Sequence, residues 1–282
     1  MNHDYKLGVL LPTRGRTDAL TRSIFSLVNR TKNLKDIKLM IGFDEDDTVG
    51  IDHFTNNIQA ELDRRGVNWE AMVFEPIGYI RLNEYVNELA KRCDASWYMF
   101  WNDDAMMDTT NWDEHIIDRN DFRILAVHTH KEHPYSIFPI VPRDWLDLFG
   151  YLSPHQMSDA WISQMAYMLD IWERIPVWVT HDRYDLTGNN LDETFKNRPQ
   201  LEGNPDNPND FHSDYWHNRR MFDTEKASGY MSMLGMDTSW WENVKANRQN
   251  PWEKLEANDV NKHMTSTRSK NTMSGKINVP TT

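Results

Sequence analysis

Short apolar runs alternate with amphipathic segments through the first half of the chain. Residues 6–11 form an apolar run that stops at Pro12, which predicts a buried strand followed by a loop. Apolar side chains then recur at helical spacing, which predicts a helix over residues 18–29. The alternation continues and predicts three further strands, an amphipathic segment and a second helix. The three strands are predicted at 37–43, 69–74 and 97–101. The amphipathic segment is predicted at 52–65 and the second helix at 79–92.

Strands that alternate with helices are typical of βαβ units. The pattern therefore predicts an α/β fold with a Rossmann-like, mainly parallel sheet that helices cover on both faces. In open sheets of this kind, ligands bind beyond the carboxyl ends of the strands. The loops predicted at that edge are residues 12–16, 44–47, 76–81 and 102–105.

The second half of the chain is built from shorter units and then becomes polar. Strands are predicted at 124–128, 136–141 and 176–180, and helices at 112–119, 143–148 and 158–172. From about residue 188 onward the sequence is rich in Asn, Asp, Pro and Gly, with helical patches at 214–222 and 240–246. This tail is either a mobile arm or an extension wrapped over the domain, and its composition predicts disorder for about the last fifteen residues.

The composition narrows the class of protein. A formal net charge of -12 and a pI near 5.3 argue against a broad basic face for nucleic-acid backbones. The single cysteine, Cys93, excludes an intrachain disulfide and a Cys-rich zinc site, and we expect it to be structural. No run approaches the roughly 18 apolar residues of a membrane span, and the N-terminus lacks a signal-peptide pattern. We therefore expect a cytoplasmic protein with no membrane span.

Two adjacent carboxylates follow a strongly apolar strand. Asp103 and Asp104 come directly after the strand predicted at 97–101. Carboxylate oxygens suit a hard divalent cation, which can be shared with a diphosphate. A solvated acidic loop or a helix N-cap is an equal alternative for an isolated Asp-Asp pair, so the order of the surrounding loops decides between them.

That order resembles the GT-A fold glycosyltransferases, in particular the family-2-like nucleotide-sugar glycosyltransferases. In this family a turn after the first strand meets the nucleotide, and the matching turn is Pro-Thr-Arg-Gly-Arg at 12–16. Acidic residues after the second strand bind the base and ribose, matched by Asp-Glu-Asp-Asp at 44–47. A helix that starts with an Arg and an Asn precedes the metal strand, matched by Arg81 and Asn83. The resemblance covers residues 5–108.

The resemblance implies transfer of a sugar, such as a hexosyl group, from a UDP- or GDP-sugar with the help of Mn2+ or Mg2+. The family's metal motif is usually Asp-x-Asp, whereas Asn102 here takes the place of the first carboxylate. Asp104 is then the metal ligand, and Asp103 contacts the ribose or a metal-bound water. The donor-binding residues implied in this way are Pro12, Thr13, Arg14, Asp44, Asp46, Arg81, Asn83 and Asp103.

The charge on the leaving group gives the basic residues of this edge a separate role. Transfer from a sugar nucleotide expels a nucleoside diphosphate, and a metal together with an Arg or Lys stabilises the negative charge that develops. Arg14, Arg16 and Arg81 are the cations on the predicted edge, and the alternative for each is an ordinary surface arginine.

The catalytic base and a third metal ligand are expected in the second half. In inverting members an Asp or Glu at the start of a helix removes the acceptor proton, and Asp159 takes that place, with helix capping as the alternative. Several glycosyltransferases of this fold supply a late His as a metal ligand, matched by His181, with a non-ligand role as the alternative. His128, His130 and His133 form a rival metal cluster, for which a structural or acceptor-cleft role is favoured.

The resemblance divides the chain into three parts. Residues 1–108 are the nucleotide-sugar-binding half, residues 109–187 are the acceptor-binding and catalytic half of the same domain, and residues 188–282 are an extension and candidate lid. The acceptor stays open among a glycan, a lipid, a protein and a modified DNA base, the last in a viral protein. Two alternatives to transfer remain. One is a nucleotidyltransferase, which would need a Gly-rich loop with a Lys after the first strand, and the other is a non-catalytic sugar-nucleotide- or glycan-binding module.

Overall fold

The computed structural model describes residues 3–76, 78–129, 136–183, 188 and 209–246. In this part of the chain, eight strands form one sheet with the order β3-β2-β1-β4-β7-β6-β8-β5. The strands are β1 (Tyr5–Thr13), β2 (Ile37–Asp44), β3 (Asn68–Phe74), β4 (Ala95–Phe100), β5 (Ala105–Met107), β6 (Ile124–Thr129), β7 (Ile140–Pro142) and β8 (Trp172–His181).

Helices cover both faces of this sheet. They are α1 (Thr17–Arg30), α2 (Thr48–His53), α3 (Gln59–Arg64), α4 (Leu82–Arg92), α5 (Arg143–Phe149), α6 (Ser158–Leu169), α7 (Asp214–Met233) and α8 (Ser239–Ala246). The π-helical segment Phe54–Ile58 joins α2 to α3, so the amphipathic stretch predicted at 52–65 is helical throughout. None of the helices in the described ranges combines the length and apolar content needed to cross a membrane.

The strand directions bring six carboxyl ends to one edge of the sheet. β3, β2, β1 and β4 are parallel to one another. The short strand β7 is antiparallel to both β4 and β6, which gives β6 the direction of β4, and β8 is parallel to β6. β5 runs antiparallel to β8, so its first residue, Ala105, pairs with the last residue of β8, His181. The carboxyl ends of β1, β2, β3, β4, β6 and β8 therefore share this edge with the start of β5.

Alternate residues of the strands point to opposite faces, and each face carries its own apolar core. Leu7, Val9 and Leu11 pack on the face that α1 and the α2–α3 segment cover. Tyr98 and Phe100 pack on the other face, under α4, α5 and α6. Because both of their faces are buried, β1, β2 and β4 appear in the sequence as continuous apolar runs rather than as alternating ones.

The predicted elements of the first half are confirmed, whereas three predictions for the second half are wrong. The helix predicted at 112–119 is only the 3-10 turn Trp112–His115, and the strand predicted at 136–141 is only Ile140–Pro142. The helix predicted at 158–172 ends at Leu169, because Asp170 takes a left-handed conformation (φ 54°) and Trp172 begins β8. The sequence pattern also missed β5, which is three residues long and begins at the end of the loop predicted at 102–105.

Asp113 holds one of these irregular turns to the first half of the chain. Its buried carboxylate accepts the backbone N–H groups of Lys32 and Asn33 at 2.9 Å each, and the side-chain amide of Asn33 at 3.0 Å. Replacing Asp113 by Ala removes the acceptor for three donors, so we expect the free energy of unfolding to fall by about 2–4 kcal/mol. Urea unfolding measures the change. The exposed Asp118→Ala is the matched control, and equal losses in the two variants would contradict this role.

Gly8 lies at a close approach between β1 and the segment after α4. A Cβ atom at Gly8 would stand 2.7 Å from the Sγ atom of Cys93. Cys93 is buried, and burial raises the pKa of its thiol to about 12, which agrees with the structural role expected for it.

Gly8→Ala is accordingly expected to lower the free energy of unfolding by about 1–3 kcal/mol through overpacking. The double variant with Cys93→Ala removes the sulfur atom that the new methyl group would meet. In a double-mutant cycle read by urea unfolding, Gly8→Ala should cost markedly less in the Cys93→Ala background than in the wild type. Strictly additive losses would show that the two side chains do not compete for space.

The described part of the C-terminal region packs on the domain. α7 and α8 lie against α6, and Phe211, Ala227, Met231 and Trp241 belong to the core on that face. Of the two alternatives for the tail, wrapping over the domain is the arrangement that residues 209–246 adopt. Residues 247–282 lie outside the described residues, so the prediction of disorder for the end of the chain stays a prediction.

Candidate functional site

A fixed turn between β4 and β5 presents the two adjacent carboxylates. The carbonyl oxygen of Asn102 accepts the Ala105 backbone N–H at 3.1 Å and the Ser23 hydroxyl, from α1, at 2.8 Å. The Trp101 indole N–H donates to the same Ser23 hydroxyl at 2.8 Å. These bonds pin the turn to α1, so Asp103 and Asp104 have a defined position on the ligand edge of the sheet.

Two residues of the turn after β1 bind the carboxylate pair. The Thr13 hydroxyl donates to Asp103 Oδ2 at 2.7 Å. The Arg16 guanidinium spans both carboxylates, with Nη2 2.5 Å from Asp103 Oδ1 and Nη1 2.9 Å from Asp104 Oδ2. The Asp103 and Asp104 side chains are 0% and 5% exposed, whereas that of Arg16 is 24% exposed. One partly exposed cation therefore bridges a buried acidic pair.

His181 completes the arrangement from the end of β8. Its Nε2 atom lies 3.2 Å from Asp104 Oδ1, and its ring packs edge-on against Phe138 at 5.1 Å between ring centroids. Burial of the Asp104 carboxyl would raise its pKa, but the contacts with His181 and Arg16 outweigh burial and hold that pKa below its usual value. The structure thus brings together the two residues that were predicted as metal ligands, Asp104 and His181.

The second acidic loop binds the other arginine of the β1 turn. Arg14 donates to Asp44 Oδ2 at 2.5 Å and to both carboxylate oxygens of Asp46. The hydrogen bonds to Asp46 and Asp44 raise the pKa of Arg14 above its usual value, and the Arg14 bond lowers the pKa of Asp46. Asp47 fixes the turn itself, because Asp47 Oδ2 accepts the Gly15 backbone N–H at 2.8 Å. Gly15 has φ 72°, a left-handed conformation that glycine adopts without strain.

The remaining donor-side candidates lie near this group or apart from it. Pro12 is the penultimate residue of β1 and is half-buried. Arg81 precedes α4 and is half-exposed, and its guanidinium forms a two-point ion pair with Glu84 at 2.6 Å. Asn83 is buried at the start of α4, with its side-chain amide 3.5 Å from the Ser153 carbonyl oxygen. Arg81 thus contacts Glu84, and Asn83 contacts Ser153, rather than the acidic pair.

Asp159 lies at the N-terminal end of α6 and is half-buried. Its Oδ1 atom accepts the backbone N–H of Ala160 at 2.8 Å. The bond lies within the first turn of α6, whose N-cap residue is Met157. The role of Asp159 as a base stays a prediction.

Of the histidines in the rival cluster, only His128 lies among the described residues, and its ring stacks on Trp178 at 4.6 Å between centroids and 16° between planes. His130 and His133 lie outside the described residues. The pair of rings on β6 and β8 agrees with the structural or acceptor-cleft role favoured for His128.

The sequence pattern missed two contacts of this site. Tyr85, on the first half of α4, donates its hydroxyl hydrogen bond to Asp44, and it falls among apolar helix positions that predict only core packing. Arg22 of α1 lies 3.6 Å from Asp182, and the two line a small depression together with Asp103 and Asp104. A helix that is placed beside an acidic loop could have drawn attention to Arg22, but no signal in the sequence points to Tyr85.

The donor atoms at Asp103, Asp104 and His181 fit a divalent cation by their chemistry. Carboxylates and an imidazole are the ligands that such ions take in proteins, and His181 Nδ1 is buried with no hydrogen-bond partner among the described residues. Within those same ranges, no three His, Cys, Asp or Glu side chains converge as a ready metal site. Arg16 contacts both carboxylates, so a divalent ion would have to share them with its guanidinium or displace it. The fit is therefore one of donor chemistry.

Comparison with known proteins adds information on the fold. No protein-family model matches the chain, and no curated protein matches it. Among solved structures it is similar to the mannosyltransferase PcManGT from Pyrobaculum calidifontis, in complex with GDP-Man and Mn2+, with a TM-score of 0.52, 8% identity, and coverage of 93% of this chain and 88% of that chain. It is also similar to TarS from S. aureus in complex with UDP, with a TM-score of 0.46, 13% identity, and coverage of 80% and 72%.

The chain has the GT-A fold of nucleotide-sugar glycosyltransferases, as the similarity to the mannosyltransferase over nearly the whole chain shows. The predicted fold class, a helix-flanked α/β sheet of GT-A type, is confirmed. At 8% identity this likeness concerns the fold alone. Function must be argued from the site.

Proposed function

We propose that the protein is a glycosyltransferase that moves a sugar, of the hexosyl type, from a UDP- or GDP-sugar to an acceptor hydroxyl or amine with inversion at the sugar carbon. The observation that carries the proposal is the cluster on one sheet edge. Thr13, Arg16, Asp103, Asp104 and His181 lie in contact there, beside the Arg14, Asp44 and Asp46 group. An edge of this kind is the place where α/β sheets bind nucleotides.

The two acidic groups suit different parts of the donor. Asp44 and Asp46 are hydrogen-bond acceptors for the base and ribose hydroxyls, and Arg14 fixes their positions. Asp103 is held by Thr13 and Arg16 at the point where the ribose and diphosphate would meet. Arg16 also brings a positive charge to the diphosphate, on which negative charge develops as the bond to the sugar breaks.

Asp104 and His181 are the residues that would hold Mn2+ or Mg2+. When bound, such an ion supplies positive charge that stabilises the leaving diphosphate. The mannosyltransferase with the similar fold was solved with GDP-Man and Mn2+, which supports a divalent ion and a nucleotide sugar for this chain as well.

Asp159 is the proposed general base on the acceptor side. It would take the proton from the acceptor group as the acceptor atom bonds to the anomeric carbon and the bond from that carbon to the diphosphate oxygen breaks. Attack opposite the leaving group inverts the configuration at the sugar carbon. The bond from the Ala160 N–H would orient the Asp159 carboxylate for this role.

Binding of the nucleotide tests the proposal directly. We expect UDP or GDP with Mn2+ to raise the melting temperature by about 5 °C at a ligand concentration roughly 100-fold above Kd, with little effect of either component alone. EDTA should abolish the shift, and adenosine monophosphate is the matched control for non-specific binding. If no nucleoside diphosphate shifts the melting temperature with any divalent ion, the proposed function is wrong. A shift without transfer to any acceptor and without donor hydrolysis would instead favour the non-catalytic binding module.

A further inference from the structure

The Arg16 guanidinium contacts both carboxylates of the acidic pair, and we infer that it is a resident counter-cation which a divalent ion displaces onto the donor diphosphate. This inference rests on the proposed function and concerns how the same site is loaded. It assigns Arg16 a positioning role that neither the metal motif nor the fold indicates. Arg16 would thus link metal binding to donor binding.

The contacts of Arg16 are those expected of a counter-cation for the acidic pair. Its two terminal nitrogens each bind a different carboxylate, Asp103 at 2.5 Å and Asp104 at 2.9 Å. Those carboxylates are almost completely buried, and two neighbouring buried carboxylates need a compensating charge to stay ionised. Arg16 supplies part of that charge through its contacts with both carboxylates.

The charge of the site shows why the metal and Arg16 must compete. The two carboxylates that the guanidinium contacts are the same ones that a divalent ion would use, so the two cations would share one acidic pair. A divalent ion on Asp104 would share that carboxylate with the Arg16 guanidinium. The positive charges of the ion and of the guanidinium would repel each other in this poorly solvated site. The donor diphosphate, with its negative charges, is the alternative partner for the displaced arginine.

The geometry allows Arg16 to move and keeps its neighbour Arg14 in place. Arg16 is the residue before α1, and its side chain is 24% exposed, so the guanidinium reaches the solvent side of the cleft. Arg14 is bound to two carboxylates of a different loop, Asp44 and Asp46, neither of which belongs to the acidic pair. Displacement of Arg16 therefore leaves the Arg14 group unchanged.

Metal binding without donor is the measurement that separates this role from a purely structural one. The wild type, Arg16→Gln, Arg16→Lys and Arg119→Gln would be titrated with Mn2+, with the free ion followed by electron paramagnetic resonance. Arg119 is the matched control, because its side chain is also 24% exposed and bridges two carboxylates, Asp121 and Glu173, that do not belong to the acidic pair. Circular dichroism and the melting temperature would establish that each variant is folded.

We expect Arg16→Gln to bind Mn2+ at least about tenfold more tightly than the wild type, because the competing charge is gone. Arg119→Gln and Arg16→Lys, in which the charge at the acidic pair is kept, should stay within about threefold of the wild type. In saturating Mn2+, Arg16→Gln should bind UDP or GDP about tenfold more weakly, since one cation is lost from the diphosphate. The opposite signs of the two effects are specific to displacement.

Equal or weaker Mn2+ binding by folded Arg16→Gln would overturn the inference, and it would leave the proposed function standing if the wild type still binds Mn2+ and nucleotide together. Failure of every variant and of the wild type to bind Mn2+ would overturn both the inference and the metal part of the proposed function. If Arg16→Gln does not fold, Arg16→Lys and Arg16→Met provide the same comparison between a kept and a removed charge.

Discussion

Replacing Asp104 by Asn is expected to lower kcat/KM for sugar transfer by roughly 10²–10³-fold, because it removes a carboxylate that would hold the ion and the charge opposite Arg16. The substitution keeps the size of the side chain, so loss of packing contributes little. Because Arg16 keeps its contact with Asp103, the variant should remain folded. Initial rates with a donor and its acceptor, or rates of donor hydrolysis, measure the effect.

Asp108→Asn is the matched control for this substitution. Asp108 follows β5 and is exposed, and its carboxylate accepts the Thr180 hydroxyl at 2.8 Å, away from the acidic pair. An amide oxygen can accept the same bond, so we expect activity within about twofold of the wild type. If Asp104→Asn hydrolyses the donor as fast as the wild type does, the acidic pair is not the donor site.

Asp159→Asn is expected to have the second large effect, a fall in kcat for transfer by about 10²–10⁴-fold. Asn keeps an oxygen that can accept the Ala160 N–H, so the start of α6 is preserved and only the proton acceptor is lost. The KM for the donor should change little, because Asp159 serves the acceptor. This difference between kcat and KM distinguishes a base from a structural residue.

Asp159→Ser is the informative companion variant. Serine also caps helices, so a structural role would be rescued by Ser and by Asn alike. Transfer should be lost in both variants, while binding of the nucleoside diphosphate should stay at the wild-type level in both. Near-normal transfer by either variant would assign Asp159 to capping and would require another base.

The parallel half of the fold was predictable because its signals are local. β1, β2 and β4 are buried on both faces, so each is an unbroken apolar run, and the loop that follows each carries the polar residues of the ligand edge. The order of those loops along the chain was enough to place Arg14, Asp44, Asp103 and Asp104 on the same edge. The contacts between Arg14 and the acidic loop are a consequence of that order.

The second half depends on long-range contacts, which the local pattern does not record. Asp170 ends α6 and Trp172 begins β8, yet the apolar residues on either side continue the helical spacing of α6. β5 is three residues long, and it is a strand only because its residues pair with β8. Short elements of this kind are stabilised by their neighbours rather than by their own sequence.

The role of Arg16 in the site has the same origin. The sequence places Arg16 near the ligand edge but cannot distinguish it from a surface arginine. Its two bonds join residues that lie almost ninety positions apart in the sequence, and they form only because β1 and β4 are neighbours in the sheet. The spacing that predicts the acidic pair therefore gives no sign of the cation that covers it.

The central claim is that this sheet edge cleaves a nucleotide sugar with the help of a divalent ion. The most direct measurement is the release of nucleoside diphosphate from a panel of UDP- and GDP-sugars in Mn2+, in Mg2+ and in EDTA, with Asp104→Asn beside the wild type. We expect one class of donor to be hydrolysed slowly by the wild type in the presence of a divalent ion, with the release lost in EDTA and in Asp104→Asn. Release of no nucleoside diphosphate from any donor under any of these conditions, or equal release by the two proteins, would contradict the account.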